Sequence, residues 1–126
     1  MSRAVQFSRS VVAAIDASKI LGLRAGVAPH RFTGVWVVVV NGRVFVRPWN
    51  DKAQGWYRAF LEEGRGVMQV GDREVRVRAR KSRGERLMDA IDLAYKEKYP
   101  TPASRKWVRG FATPRRRATT LELLPR

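Results

Sequence analysis

The sequence predicts an α+β fold whose antiparallel sheet closes on itself, with helices packed against it. Three observations carry this reading. Two pairs of apolar segments meet at hairpin dipeptides, Asn41-Gly42 and Gly71-Asp72. A stripe of apolar residues at helical spacing runs from Glu85 to Tyr99. The elements follow the order helix, hairpin, helix, hairpin, long helix, short helix, strand, and closing the sheet removes edges that a small apolar sheet would leave exposed.

An N-terminal helix is expected over residues 10–23, ending by about residue 24, with Val11, Val12, Ile15 and Ile20 on its apolar side and Ser10 as its N-cap. Gly22 and Gly26 stop it, and Ala25 to Thr33 is a connection. Val35 to Val40 and Arg43 to Trp49 form the first hairpin. Its two-residue turn sets Val38 against Phe45, Trp36 against Arg47, and Val37 and Val39 against Val46 and Val44. Both faces are therefore apolar, one lining a barrel and the other receiving a helix. Pro48 cannot donate to a ladder and ends the second strand.

A short helix over Gly55 to Glu63 is released by Gly64 and Gly66. Val67 to Val70 and Arg73 to Lys81 make the second hairpin; Val75, Val77 and Ala79 face in, while Arg76, Arg78 and Arg80 face out. In the long helix, Leu87, Met88, Ile91, Ala94, Tyr95 and Tyr99 recur at three- and four-residue steps until Pro100 and Pro102. A short helix over Ala103 to Phe111 and a strand over Thr119 to Leu124 complete the set, making five strands.

Length and composition bound the function. The 126 residues fit a single domain, 1–126, and a hydrophobic fraction of 44% supplies a core. With no cysteine there is no disulfide, thiolate metal site or cysteine nucleophile. His30 is the only histidine, and Pro29-His30-Arg31 reads as loop, so neither a metal ligand nor a catalytic base is expected there. No segment approaches the roughly 20 apolar residues of a membrane span. The run from Val11 to Leu23 carries Asp16 and Lys19, which fails as a signal-peptide core, so a cytoplasmic protein is expected. The net charge of +15 attracts polyanions, or reflects a general preference for arginine.

Several segments resemble a known family. They are Trp36-Val37-Val38, Phe45-Val46-Arg47, Trp56-Tyr57-Arg58, the run Ile91-Asp92-Leu93-Ala94-Tyr95-Lys96-Glu97-Lys98-Tyr99, and Thr119-Thr120-Leu121-Glu122-Leu123-Leu124-Pro125. The pattern, over roughly residues 33–126, is similar to a bacterial family known as domain of unknown function 2255. That family has no established activity, so no catalytic residue is carried over. The resemblance implies a small antiparallel split β-barrel core at about 33–126 with packed helices. Such barrels resemble proteins that bind flavin mononucleotide (FMN) or a deazaflavin, and they often form homodimers with the cofactor at the seam between subunits. Trp56-Tyr57 occupies the place of the Trp-Tyr pair in the deazaflavin-dependent reductases. One departure is clear: the chain has Pro48-Trp49-Asn50-Asp51 where the family tends to have Ser-x-Asn-Gly, and the missing glycine weakens the case for close backbone approach to a phosphate.

Two constellations could carry chemistry. Arg47, Trp49, Asn50, Trp56, Tyr57 and Arg58 combine indole and phenol rings for a flat cofactor with forks and amides for its phosphate. The competing reading makes the tryptophans core residues, with Arg47 stacked on Trp36. Arg76, Arg78, Arg80 and Lys81 lie in a stretch, residues 73–86, with seven basic and two acidic side chains, and could track a phosphate backbone. No aromatic interleaves them, as a stacking platform for single strands would require. A further basic cluster, Arg105, Lys106, Arg109 and Arg115-Arg116-Arg117, with Trp107 and Phe111 nearby, could bind an anion or a membrane surface, though it reads first as a solvated connection. Asp89 and Asp92 read as helix-surface charge partners, with Lys96 on the same face. The leading expectation is a flavin- or deazaflavin-binding protein, as in a reductase. The alternatives are a basic nucleic-acid-binding module and a structural dimer with no ligand.

Overall fold

The computed structural model describes residues 6–26, 31–49 and 55–126, so His30 and Asn50 lie outside the described residues. The elements are α1 (Arg9–Ala17), β1 (Leu21–Ala25), β2 (Thr33–Val35), β3 (Val37–Val40), β4 (Arg43–Val46), α2 (Trp56–Glu63), β5 (Arg65–Val70), β6 (Arg73–Lys81), α3 (Glu85–Lys98), α4 (Arg105–Phe111), α5 (Pro114–Arg117) and β7 (Leu121–Pro125). The strands form one sheet in the order β2-β1-β5-β6-β7-β4-β3, antiparallel throughout. The two outermost strands, β2 and β3, follow one another in the chain with only Trp36 between them. The result is a nearly closed barrel with an unsealed seam at Trp36, carrying helices: an α+β fold.

Both hairpins form as their turn residues dictate. Asn41 and Gly42 both have positive φ, 52° and 75°, and the register sets Val38 against Phe45 and Val40 against Arg43. Gly71 has φ 58° and joins Val70 to Arg73. The alternation makes two cores. Val37, Val44, Val46, Val77, Leu121 and Leu123 point into the barrel, where Ile15 of α1 and Tyr57 and Phe60 of α2 join them. Val38 and Phe45 point outward against Met88, Ile91 and Tyr95 of α3, Tyr99 just past its end, and Phe111 of α4.

The N-terminal segment corrects the expectation. The helix stops at Ala17; Ser8 is its N-cap, and the Ser18 hydroxyl turns back to donate to Ala14 O at 2.7 Å. Leu21 to Ala25 is a strand paired with both β2 and β5, its Leu21, Leu23 and Ala25 buried in the barrel. Ile20, assigned to an apolar helix face, is exposed. The expected strand over Val35 to Val40 is likewise two strands, giving seven in all. Val35 and Val37 enter the interior on either side of Trp36, which turns outward onto the α3 side.

Side chains at the C-terminal end of α3, Lys98 and the capping Tyr99, cover the seam at Val37. The Val37 N–H donates to Tyr99 Oη at 3.1 Å, and Lys98 Nζ donates to Val37 O at 2.8 Å and to Ile15 O at 3.1 Å. Tyr99 Oη in turn donates to Lys19 O at 2.7 Å. Burial pushes the Tyr99 phenol up to about 12. Burial lowers the Lys98 pKa, partly countered by the charge of Asp16.

Candidate functional site

The ladder of β4 sends Val44 and Val46 inward, so Phe45 and Arg47 face α3. Arg47 is 1% exposed, and its guanidinium is bound to the protein on every nitrogen. Nε donates to Thr120 Oγ1 at 2.8 Å. Nη1 donates to Asp92 Oδ1 at 2.5 Å and to Phe111 O at 3.0 Å, and Nη2 reaches Met88 O at 3.5 Å. Its ring neighbour is Tyr95, with the guanidinium carbon 5.7 Å from the centroid, and not Trp36, which stacks on Tyr99 at 4.0 Å. Asp92 offers its second oxygen to Arg117 Nη1, while Arg117 Nη2 reaches Asp89 at 3.1 Å and Glu85 at 3.3 Å. The acidic side of α3 is thus held by two arginines from other elements, and Lys96 is not its partner.

This clamp fixes the chain end that carries Trp49. Beyond it lies an open cleft of ≈ 290 Å³ with a largely apolar lining. Its walls include Trp36, Trp49, Trp56 and Trp107, together with Phe111 and Arg47. These four are all the tryptophans in the chain. Trp49 meets Trp107 edge-on at 4.7 Å and Phe111 edge-on at 5.4 Å, and its other neighbour is the Arg116 guanidinium, 3.7 Å from its ring centroid. Arg116 Nε also donates to Trp49 O at 2.8 Å. Lys106 Nζ lies 5.0 Å from the Trp107 ring. Gly110 makes the arrangement sterically feasible: a Cβ there would sit 2.4 Å from Trp49 Cη2.

Of the six residues expected at this site, Arg47, Trp49 and Trp56 line the cleft. Tyr57 is buried in the barrel core, one residue round α2 from Trp56. Arg58 is exposed on α2 and is not among the described lining residues. Trp36, Trp107, Gly110 and Phe111 were not assigned to it by sequence. The signal was available for three of them, because Trp107, Gly110 and Phe111 share one face of a helix by their three- and four-residue spacing.

The second constellation divides. Arg76 and Arg78 are exposed on the outside of β6, whereas Arg80 donates to Glu122 Oε1 at 3.0 Å. Glu122 also takes a two-pronged contact from Arg43, at 3.0 and 2.9 Å. Burial alone would raise the Glu122 pKa, but the bonds and charges of Arg43 and Arg80 outweigh it and hold the carboxyl below its ordinary range. Lys81 is exposed at the strand end. Among the described residues no three His, Asp or Glu gather as a metal site, and no helix is long and apolar enough to cross a membrane.

Residues 10–123 match the bacterial family described as uncharacterized protein conserved in bacteria, DUF2255, and the chain belongs to that family. No curated protein matches it. Among solved structures, its fold is similar to that of the conserved hypothetical protein Rv2991 from Mycobacterium tuberculosis. The TM-score is 0.59 at 15% identity, covering 98% of this chain and 82% of that one.

Proposed function

We propose that the tryptophan-lined cleft binds a flat heteroaromatic cofactor with an anionic tail, FMN or a deazaflavin, and that the protein serves reductase chemistry. The convergence of all four tryptophans on one opening carries this reading. Indole rings supply flat apolar walls for a fused ring system, and ≈ 290 Å³ is close to the smallest volume typical of ligand sites, about 300 Å³. One ring system fills it and the tail projects to the rim. Trp49 and Trp56 hold the ring. The phosphate falls to Lys106 and to Arg116 Nη2, since Nε and Nη1 of Arg116 donate to Trp49 O and Gly110 O and the donors of Arg47 are all bound within the protein; the sequence adds Asn50 and Arg58 as candidates for the same role. Arg47 is the positioning residue that fixes the strand end bearing Trp49.

Arg47 is the only ionisable residue among the described lining residues, and it is held by Asp92. The cofactor would supply the hydride chemistry, and the chain would bind, orient and exclude water. The homodimer and cytoplasmic location expected from the sequence belong to the same reading, with a second copy closing the cleft's open side.

Titration with FMN and with a deazaflavin, followed by tryptophan emission and cofactor absorbance, tests it. Quenching that saturates and is weakened at least tenfold by Trp49→Ala or Trp107→Ala supports the site; both side chains are partly exposed, so the variants should fold. Unchanged emission at millimolar concentrations of either cofactor overturns it.

A further inference from the structure

A second surface, cationic where the cleft is apolar, lies on the same sheet. On the outside of β5 and β6 the register sets Arg65 directly against Arg78. One row further, Arg24, Val67 and Arg76 lie side by side across β1, β5 and β6. Arg65, Arg76 and Arg78 are all exposed. Among the described residues, the acids on this face are Glu74, 3.6 Å from Arg24, and Glu122, held between Arg43 and Arg80. Like charges placed directly opposite one another across antiparallel strands are destabilising. The fold therefore holds a repulsive pair on an open surface, in a chain of net charge +15, where no described carboxylate neutralises it.

We infer that this face binds the phosphate backbone of nucleic acid. Arg76 and Arg78 stand about 6.8 Å apart, two residues of extended chain, a step suited to successive phosphates, while Arg80 is held by Glu122. Guanidinium forks match phosphate oxygens in pairs. No aromatic side chain stands between these arginines, so contacts go to the backbone and binding is sequence-independent and strongly dependent on salt. Among the described residues, none of the exposed large apolar side chains lies on β5 or β6, where Val67 is half-buried, and this disfavours an anionic membrane, which a surface helix usually enters with such groups. The inference is independent of the tryptophan cleft.

The test uses a fluorescently labelled DNA duplex of about 20 base pairs and anisotropy between about 50 and 200 mM salt. Wild-type affinity should fall linearly on logarithmic axes. The Arg76→Thr/Arg78→Thr variant should lose at least tenfold in affinity and about 1.8 from the slope, two phosphate contacts' worth. Lys96→Thr/Arg109→Thr, which removes the same charge elsewhere, should change affinity less than twofold. Arg78→Thr alone should keep or raise the melting temperature, since it relieves the facing pair. Equal weakening by both double variants, absence of duplex binding at the lowest salt, or binding to phosphatidylserine vesicles without binding to duplex overturns the inference. A lowered melting temperature for Arg78→Thr also counts against it, because the arginine would then serve the fold.

Discussion

Arg47 and Arg78 leave one sheet on its outer side, yet they meet opposite surroundings. Over β4 lie α3 and α4, and Arg47 is sealed beneath them with Asp92, Thr120 and Phe111 O as acceptors. Over β6 the surface is open, and Arg78 faces another arginine. An outward strand arginine becomes scaffold where a helix brings acceptors down on it, and stays available for an anion where none does. A count of basic residues cannot separate the two.

The contrast breaks most visibly at the buried member. Arg47→Ala should cost about 3–5 kcal/mol, the range for removing one partner of a buried ion pair, measured by urea unfolding. A loss below 1 kcal/mol would mean that the clamp is slack. Glu122, between Arg43 and Arg80, is the intermediate case. Glu122→Gln should cost about 1.5–3 kcal/mol near neutral pH. Because its folded pKa is depressed, the ionised carboxylate contributes stability above the ordinary carboxylate pKa, and that contribution drains away as pH falls through the lower folded value. The Gln variant should therefore show a flatter acid limb below about pH 4.5, and matching acid limbs would refute the coupling. Gly110→Ala presses a methyl into the Trp49 ring; about 1–3 kcal/mol of overpacking cost is expected, with a shift in tryptophan emission reporting the displaced ring. At the open end of the scale, Arg78→Thr should change stability by no more than about 0.5 kcal/mol.

The barrel core was legible from the sequence wherever a turn fixed the register. Asn41-Gly42 determined which of Val37 to Val46 faced the interior, and the pairings follow it residue by residue. The α3 stripe was equally direct. The segment from Ile20 to Ala25 was misread because Ile20, Leu21 and Leu23 also satisfy a helical stripe when joined to Val11 to Ile15. The distinguishing features were the alternation of Leu21, Leu23 and Ala25, and the Ser18 hydroxyl that competes with the backbone. Gly22, taken as a helix stop, sits inside β1, where a Cβ would come within 3.2 Å of Gln69 Cβ and 3.3 Å of Phe32 Cβ. For the cleft, Trp49 and Trp56 were found because they are close in sequence. Trp107 and Gly110 reach it from more than fifty residues away, and only the docking of α4 on α3 brings them in. Arg47 drew notice for the right position, but its acceptors Thr120 and Phe111 O come from remote segments that no local pattern announces.

The segment Tyr95-Lys96-Glu97-Lys98-Tyr99 gains a meaning at the seam. Where β3 has no neighbouring strand, an ammonium and a phenol stand in for the missing peptide groups at Val37. The border of the sheet is thus occupied at Val37 by side chains of its own chain. Unpaired strand edges are templates for pairing with other chains, and at Val37 these two side chains occupy that edge.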